Sequence, residues 1–209
     1  KQSKDDQQLL PVLVEFLIQQ NEAFREKIRF TKEKLENFDA VIATGSNNTA
    51  RYFEYYFSKY PHIIRKNRNS VAIITGNESK EELAPLGDDI FRYYGLGCRN
   101  VSKIFVPEDF QFEKLFQAIY EWNPIINQNK YANNYDYNKA VYLMSEFKLF
   151  DNGFLILKED ESFSSPIATL FYEKYSSLEE LNSKLTEQEE NIQCIVSQNL
   201  QPNHIEFGK

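Results

Sequence analysis

Six short apolar runs, separated by stretches of helical periodicity, constrain this chain more than any other feature. "FDAVIATG" (38–45), "SVAIITG" (70–76), "SKIFV" (102–106), "GFLILKE" (153–159), "TLFYEKY" (169–175) and "IQCIVSQ" (192–198) each read as a strand. "FDAVIATG" and "SVAIITG" are nearly all apolar, as expected of strands covered on both faces. "KIRF" (27–30) is a shorter strand candidate. Strands that alternate with helices in this way predict an α/β fold with a largely parallel sheet.

The helices between them carry their own signals. "LLPVLVEFLI" (9–18) lies in a helix over 7–20 that is apolar on most sides and therefore predicted to be buried, with Pro11 tolerable near its first turn. Ala50, Phe53, Phe57 and Tyr60 recur at helical spacing after Gly45-Ser46. Ser79 with Glu82 three residues on is a capping box; Leu83, Leu86, Ile90 and Tyr94 form the buried stripe behind it, and Gly95 is the stop. Phe112, Leu115, Phe116, Ile119 and Trp122 mark a further amphipathic helix, and 136–148 and 177–188 two more. The Asn/Tyr-rich "NQNKYANNYDYN" (127–138) reads as a surface loop, and "TEQEEN" (186–191) as a solvated helix end.

At 209 residues, 42% of them hydrophobic, the chain can bury a sizeable core. Its net charge of −7 argues against a nucleic-acid surface. The run 9–18 is too short to span a bilayer and follows Asp5 and Asp6 rather than a basic flank. Two cysteines make no disulfide framework, which points to a reducing cytoplasm. His62 and His204 are the only histidines and lie far apart, so no metal site is expected. A chain that begins without methionine and stops at "EFGK" is read as a fragment.

Two stretches could carry chemistry. In "FRYYGLGCRN" (91–100), Gly95 and Gly97 let the backbone turn tightly, so that its N–H groups can approach a substrate oxygen around Cys98. Arg99 and Lys103 place positive charge nearby in sequence, the setting that favours a thiolate nucleophile. An inert cysteine beside a helix stop is the competing reading. Cys194, in an alternating apolar strand, reads as core. In "ATGSNNTA" (43–50) a strand runs through Thr44, Gly45 and Ser46 into a helix start, where free N–H groups can hold a cofactor diphosphate; the same residues also serve as ordinary caps.

Taken in order, a strand-Thr-Gly-Ser-helix turn followed about fifty residues on by Gly-x-Gly-Cys and "SKIFVP" resembles the aldehyde dehydrogenase superfamily. There a Thr-Gly-Ser turn near the cofactor precedes a Gly-Gln-x-Cys nucleophile and a strand beginning Ser-Arg-x-x-Val. "NFDAVIATGSNNTARYFEYYF", "RKNRNSVAIITGNES" and "DDIFRYYGLGCRNVSKIFVPEDF" are similar to the acyl-CoA reductase (LuxC-like) branch. The resemblance covers most of 25–122 specifically and the rest loosely. It implies an aldehyde-dehydrogenase-like α/β fold with Rossmann-type parallel sheets, Cys98 as nucleophile and Gly97 beside it. Thr44, Gly45 and Ser46 would stand near the cofactor. "EDESFSSPI" (159–167) is similar to the family's Glu-x-Phe-Gly-Pro segment, which implies a nicotinamide-ribose contact for Glu161 and a companion role for Phe163, although Ser164-Ser165 replaces a single glycine.

The resemblance implies domains at 1–62 (end of the cofactor domain), 63–190 (catalytic) and 191–209 (return toward the cofactor side or an oligomer interface). The family's first nucleotide-binding half would precede residue 1. It also implies NADPH as cofactor, a fatty acyl-CoA substrate and a homo-oligomer as one arrangement. Hydrolytic members carry a general-base glutamate in a Glu-Leu-Gly-Gly segment just before the strand that here reads "NSVAIITG"; the corresponding "IIRKNRN" (63–69) has no carboxylate. An enzyme that activates water needs such a base, whereas one that discharges its acyl group by hydride does not. The expectation is therefore reduction of an acyl-CoA to an aldehyde. A catalytically silent module of the same fold and an aldehyde oxidant with a base supplied elsewhere are the alternatives.

Overall fold

The computed structural model describes residues 8–31, 33–45, 47–198 and 200–209. Its contacts divide the chain into two compact units, Lys1–Arg65 and Lys66–Lys209.

The first unit holds helix α1 (Leu9–Gln20), strand β1 (Val41–Thr44), helix α2 (Asn47–Phe57) and strand β2 (His62–Arg65). β1 and β2 pair in parallel, Val41 against His62 through Thr44 against Arg65. Two parallel strands need a crossover, which α2 supplies, turning its fully buried Ala50 inward. Phe38 stacks near Phe57 and Tyr60, with ring centroids 5.7 and 4.5 Å apart. Three expectations fail in this unit. "KIRF" forms no strand; Ile28 N–H instead closes a turn onto the Phe24 carbonyl. β1 is covered only in part, with Ile42 77% exposed. α1 buries Ile18 alone and leaves Leu9, Val12 and Phe16 exposed, because a helix apolar all round needs cover on every side and the unit supplies it on one.

The second unit is built on a six-stranded sheet. Its strands are β3 (Asn69–Ile73), β4 (Val101–Pro107), β5 (Leu149–Asp151), β6 (Ile156–Glu159), β7 (Thr169–Tyr175) and β8 (Ile192–Ser197), in the spatial order β5-β6-β7-β4-β3-β8. All neighbours run parallel except β5, which pairs antiparallel with β6. Val71, Ile73 and Phe105 face one side, where Leu181 and Leu185 of α7 (Leu178–Glu187) cover them. Ala72, Ile74, Ile104 and Val106 face the other and pack on α3 (Lys80–Leu83), α4 (Leu86–Phe91) and α5 (Phe112–Ala118). A strand covered on both faces is apolar at most positions, which is why 71–73 of β3 and 104–106 of β4 stand out as apolar runs.

Two helices differ from expectation. The stretch after Ser79 is two short helices, broken at Ala84-Pro85, and it ends in a 3₁₀ turn over Arg92–Gly95. α6 spans Asn129–Met144 and absorbs most of the expected loop 127–138. Its buried face is Tyr131, Tyr135 and Asn138, at helical spacing but carried by residues that hydropathy scores as polar. Each satisfies its polar tip: Tyr131 Oη donates to the Phe154 carbonyl at 2.9 Å, Tyr135 Oη to Asp151 at 2.7 Å, and Asn138 Nδ2 to the Ile167 carbonyl at 2.9 Å.

The capping box forms as expected, with Ser79 Oγ accepting from Glu82 N–H at 3.2 Å and Glu82 Oε2 accepting from Ser79 N–H at 2.7 Å. It satisfies two amides that would otherwise face water at the start of α3. Replacing Ser79→Ala is expected to lower stability by about 1 kcal/mol, read as a fall in the urea midpoint with unchanged slope.

Candidate active site

Cys98 stands on the turn between the 3₁₀ segment and β4, exposed to solvent. The backbone reaches it through an unusual run: Tyr93 (φ 54°), Tyr94 (φ 58°) and Gly95 (φ 75°) are all left-handed. Only glycine adopts that region freely, so the two tyrosines store strain of order 1–2 kcal/mol each. Strain of this kind persists where surrounding contacts over-determine the backbone, and it gathers at functional sites.

Asn100 holds the turn. It is 8% exposed, and its Oδ1 accepts from Gly97 N–H at 2.9 Å while its Nδ2 donates to the Asp89 carbonyl at 2.8 Å. Its own N–H closes onto the Gly97 carbonyl at 2.9 Å. Gly97 owes its identity to this arrangement rather than to a left-handed φ, for a Cβ there would lie 2.7 Å from Asn100 Oδ1. Among the described residues no hydrogen bond engages the Cys98 N–H.

A second anchor comes from β3. Ser70, fully buried, donates from Oγ to the Cys98 carbonyl at 2.9 Å, and the same Oγ lies 2.9 Å from Cys194 Sγ. Cys194 is therefore not the core residue its apolar strand suggested: it is partly exposed and meets a buried hydroxyl. The ladder explains this. Asn69 pairs with Ile192 and Val71 with Ile195, so Gln193 and Cys194 stand together opposite Ser70. A one-residue bulge of that kind redirects side chains, and period-2 reading cannot anticipate it.

Cys98 and Cys194 border one cavity of about 270 Å³, lined also by Asp89, Arg92, Arg99 and Gly208. Burial pushes the Asp89 carboxyl up to about 6, helped by the charge of Asp88 and opposed by the Gly208 N–H, which donates to Asp89 Oδ2 at 2.8 Å, and by Arg92. Neither Asp88 nor Asp89 drew attention in the sequence; two acids on a helix beside a basic residue look like a solvated face.

Lys103 does not serve Cys98. It is fully buried on the α7 face of β4, where Nζ donates to Glu173 Oε2 at 2.7 Å and to the Glu161 carbonyl at 2.8 Å. Burial pushes the Glu173 carboxyl up, yet the hydrogen bonds and charges of Lys103 and Lys184 outweigh that and hold it below the ordinary carboxylate range. Ser102 Oγ donates to the Phe163 carbonyl at 2.5 Å, and the Lys103 ammonium lies 5.1 Å from the Phe163 ring centroid. The strand that follows Cys98 thus fixes the backbone carrying Glu161, which is exposed, and Phe163, which is half-buried.

Thr44 and Gly45 belong to the first unit. Thr44 is exposed, and a Cβ on Gly45 would lie 2.9 Å from Thr49 Cβ, so only glycine lets α2 start this close to the end of β1. Ser46 lies outside the described residues. Among the described residues no group of three His, Cys, Asp or Glu side chains could hold a metal ion, and no helix is long and apolar enough to cross a membrane.

No protein-family model and no curated protein matches the chain. Solved structures do. An aldehyde dehydrogenase from Bacillus cereus aligns at 14% identity and TM-score 0.52, covering 78% of this chain and 40% of that one. An aldehyde dehydrogenase from Mycobacterium tuberculosis complexed with NAD+ aligns at 12% identity and TM-score 0.52, over 78% and 41%. Aldehyde dehydrogenase 21 from Physcomitrella patens, in complex with the reaction product succinate, aligns at 14% identity and TM-score 0.53, over 79% and 40%. The chain therefore has the α/β fold of aldehyde dehydrogenases. It spans about two fifths of the length of these structures.

Two outcomes test the site. Gly97→Val should push Asn100 off the turn and reduce alkylation of Cys98 by an acyl-thioester analogue at least tenfold, with far-UV circular dichroism retained. For Asp89, the folded chain keeps a proton that the unfolded chain gives up near 3.8. Its stabilising contribution is complete below that value and is lost as pH rises through about 6. Asp89→Asn should abolish this part of the fall, seen as a flatter melting temperature between pH 4 and 7.

Proposed function

We propose that this chain carries the nucleophile of a nicotinamide-dependent aldehyde oxidoreductase, and within that class of an acyl-CoA reductase acting on fatty acyl thioesters. The reading rests above all on one observation: an exposed thiol on a strained turn, next to an unengaged backbone N–H, with no carboxylate in "IIRKNRN". Cys98 Sγ attacks the thioester carbonyl carbon, the carbon–sulfur bond to CoA breaks, and CoA leaves as the thiol. Exchange of one thioester for another is nearly balanced because nucleophile and leaving group are alike. The Cys98 N–H faces the oxyanion as it forms. Ser70 and Asn100 keep the carbonyl and the turn in place, so the sulfur meets the substrate without first being ordered.

Two features, each within its own unit, support a nicotinamide dinucleotide as the proposed cofactor. Gly45 leaves the strand-to-helix turn open where a Cβ would collide, and Ser102 and Lys103 fix the loop that presents Glu161 and Phe163. Thr44, Gly45 and Ser46 would hold the phosphate side, and Glu161 and Phe163 the nicotinamide side. When bound in reduced form, as NADPH in this proposal, the group supplies the hydride that turns the Cys98 thioester into an aldehyde. The cytoplasm, where acyl-CoA and reduced nucleotide are both present, is the compartment proposed for it.

Asp89 favours a second reading. A carboxyl with its affinity raised to about 6, lining the cavity beside Cys98, is suited to activate water, and would make the chain an aldehyde oxidant or a thioester hydrolase. Mixing the full-length protein with acyl-CoA alone separates the two. The reductase should release about one CoA per active site in a burst and then nearly stop. NADPH should restart release in step with aldehyde formation. Sustained CoA release without cofactor, with free fatty acid as product and suppressed by Asp89→Asn, would overturn the reductase in favour of hydrolysis.

A further inference from the structure

The two cysteines of this chain approach a single cavity from opposite sides of β3, and Ser70 stands between them. A serine hydroxyl has one proton to give. Ser70 gives it to the Cys98 carbonyl, so at the other contact the Cys194 S–H is the donor and Ser70 Oγ the acceptor. The reduced thiol of Cys194 is thereby held one hydroxyl group away from the backbone of Cys98. Cys194 reaches this place only because two residues of β8 face Ser70 alone, and it shares its face of the sheet with Val196, which lines the same cavity. Cys98, for its part, sits on a turn held by side-chain hydrogen bonds from Asn100 and Ser70 and by no ladder of the sheet.

We propose that Cys98 and Cys194 form a reversible intramolecular disulfide, with Cys98 as the thiol that a hydroperoxide oxidises and Cys194 as the thiol that resolves it. The proposal rests on the reading of Cys98 as the reactive cysteine. In the first step Cys98, as thiolate, attacks one oxygen of hydrogen peroxide. The O–O bond breaks, Cys98 becomes a sulfenic acid, and the departing hydroxide takes up a proton to leave as water. In the second step Cys194 sulfur attacks the sulfenic sulfur. The S–S bond forms, the S–O bond breaks, and the hydroxide leaves with the Cys194 proton as a second water. Two thiols and one peroxide become one disulfide and two waters, so sulfur is oxidised and peroxide reduced in equal measure.

A disulfide needs the two Cα atoms within about 7 Å, and the Ser70 hydroxyl, 2.9 Å from the Cys98 carbonyl oxygen and 2.9 Å from Cys194 Sγ, ties both residues to one atom. Any remaining approach falls to the exposed Cys98 turn, which no strand pairing fixes, rather than to β8, which is paired with β3 on both sides of Cys194. The disulfide would occupy the nucleophile, halting acyl transfer while sparing Cys98 from sulfinic acid, which thiols cannot reverse.

The test is peptide mapping of the full-length protein after treatment with one equivalent of hydrogen peroxide, blocking of free thiols by alkylation, and digestion without reductant. The expected product is a cross-linked peptide pair carrying Cys98 and Cys194, split by dithiothreitol. In Cys194→Ser, and equally in Cys194→Ala, Cys98 should proceed to sulfinic acid, and the thiol recovered by dithiothreitol should fall about tenfold. Wild-type protein in which Cys98 over-oxidises as fast as in these variants, or links only to Cys98 of another molecule, would overturn the proposal. The mapping needs no substrate, so its failure is distinct from failure of the acyl-CoA reading. An intact CoA burst without a cross-link sinks the disulfide alone, and a cross-link without a burst leaves the pair standing and removes the acyl-transfer reading.

Discussion

The second unit is organised by the burial of β3 and β4 on both faces. Val71, Ala72, Ile73 and Ile74 have no exposed surface, nor have Ile104, Phe105 and Val106. Strands so placed must be covered by helices on either side, and every polar group that enters them must find a partner within the protein. Neither face can host a substrate. Chemistry is pushed to the strand ends, where loops emerge and where helices α3, α4 and α7 leave room.

What happens at those ends follows from the few polar residues that the strands admit. Ser70, Ser102 and Lys103 are each buried, and each spends its donor on a carbonyl far away in sequence: Cys98, Phe163 and Glu161. A buried donor left unpaired would cost about 1–3 kcal/mol, so these bonds hold the loops of the reduced, folded chain in place. Loops that could have wandered are fixed by the same requirement that keeps the sheet intact. Stability of the core and placement of the site are thus not separable properties in this molecule.

The central strands were legible in the sequence because two-sided burial admits few polar residues, and the Ser79 cap because its chemistry is local. α6 was not, since its inward face is built of tyrosines and an asparagine whose polar tips are satisfied by carbonyls and a carboxylate that only the folded chain supplies. The buried α1 was over-read: apolar spacing says which side wants cover, not whether cover exists. At the candidate site, Cys98 and Gly97 were visible as a glycine turn with a thiol. The reason for Gly97, the side chain of Asn100, was hidden because nothing in "GCRN" announces a hydrogen bond back onto the glycine. Lys103 is close to the thiol in sequence, but strand alternation turns it to the other face, where it meets Glu173 and the Glu161 carbonyl. Asp89 and Cys194 owe their places to a helix packing and a strand bulge, neither of which leaves a trace in a linear pattern.

The consecutive left-handed residues Tyr93, Tyr94 and Gly95 make the segment before Cys98 a point of unequal local stability. Strain there favours opening, while the strands on either side, locked by ladders and burial, open only when the whole unit unfolds. Amide hydrogens from about residue 92 to 99 would then exchange with solvent much faster than those of β3 and β4, through fluctuations that never disturb the core. A turn arranged in this way can open and close by local breathing, with the sheet beneath it serving as a fixed reference.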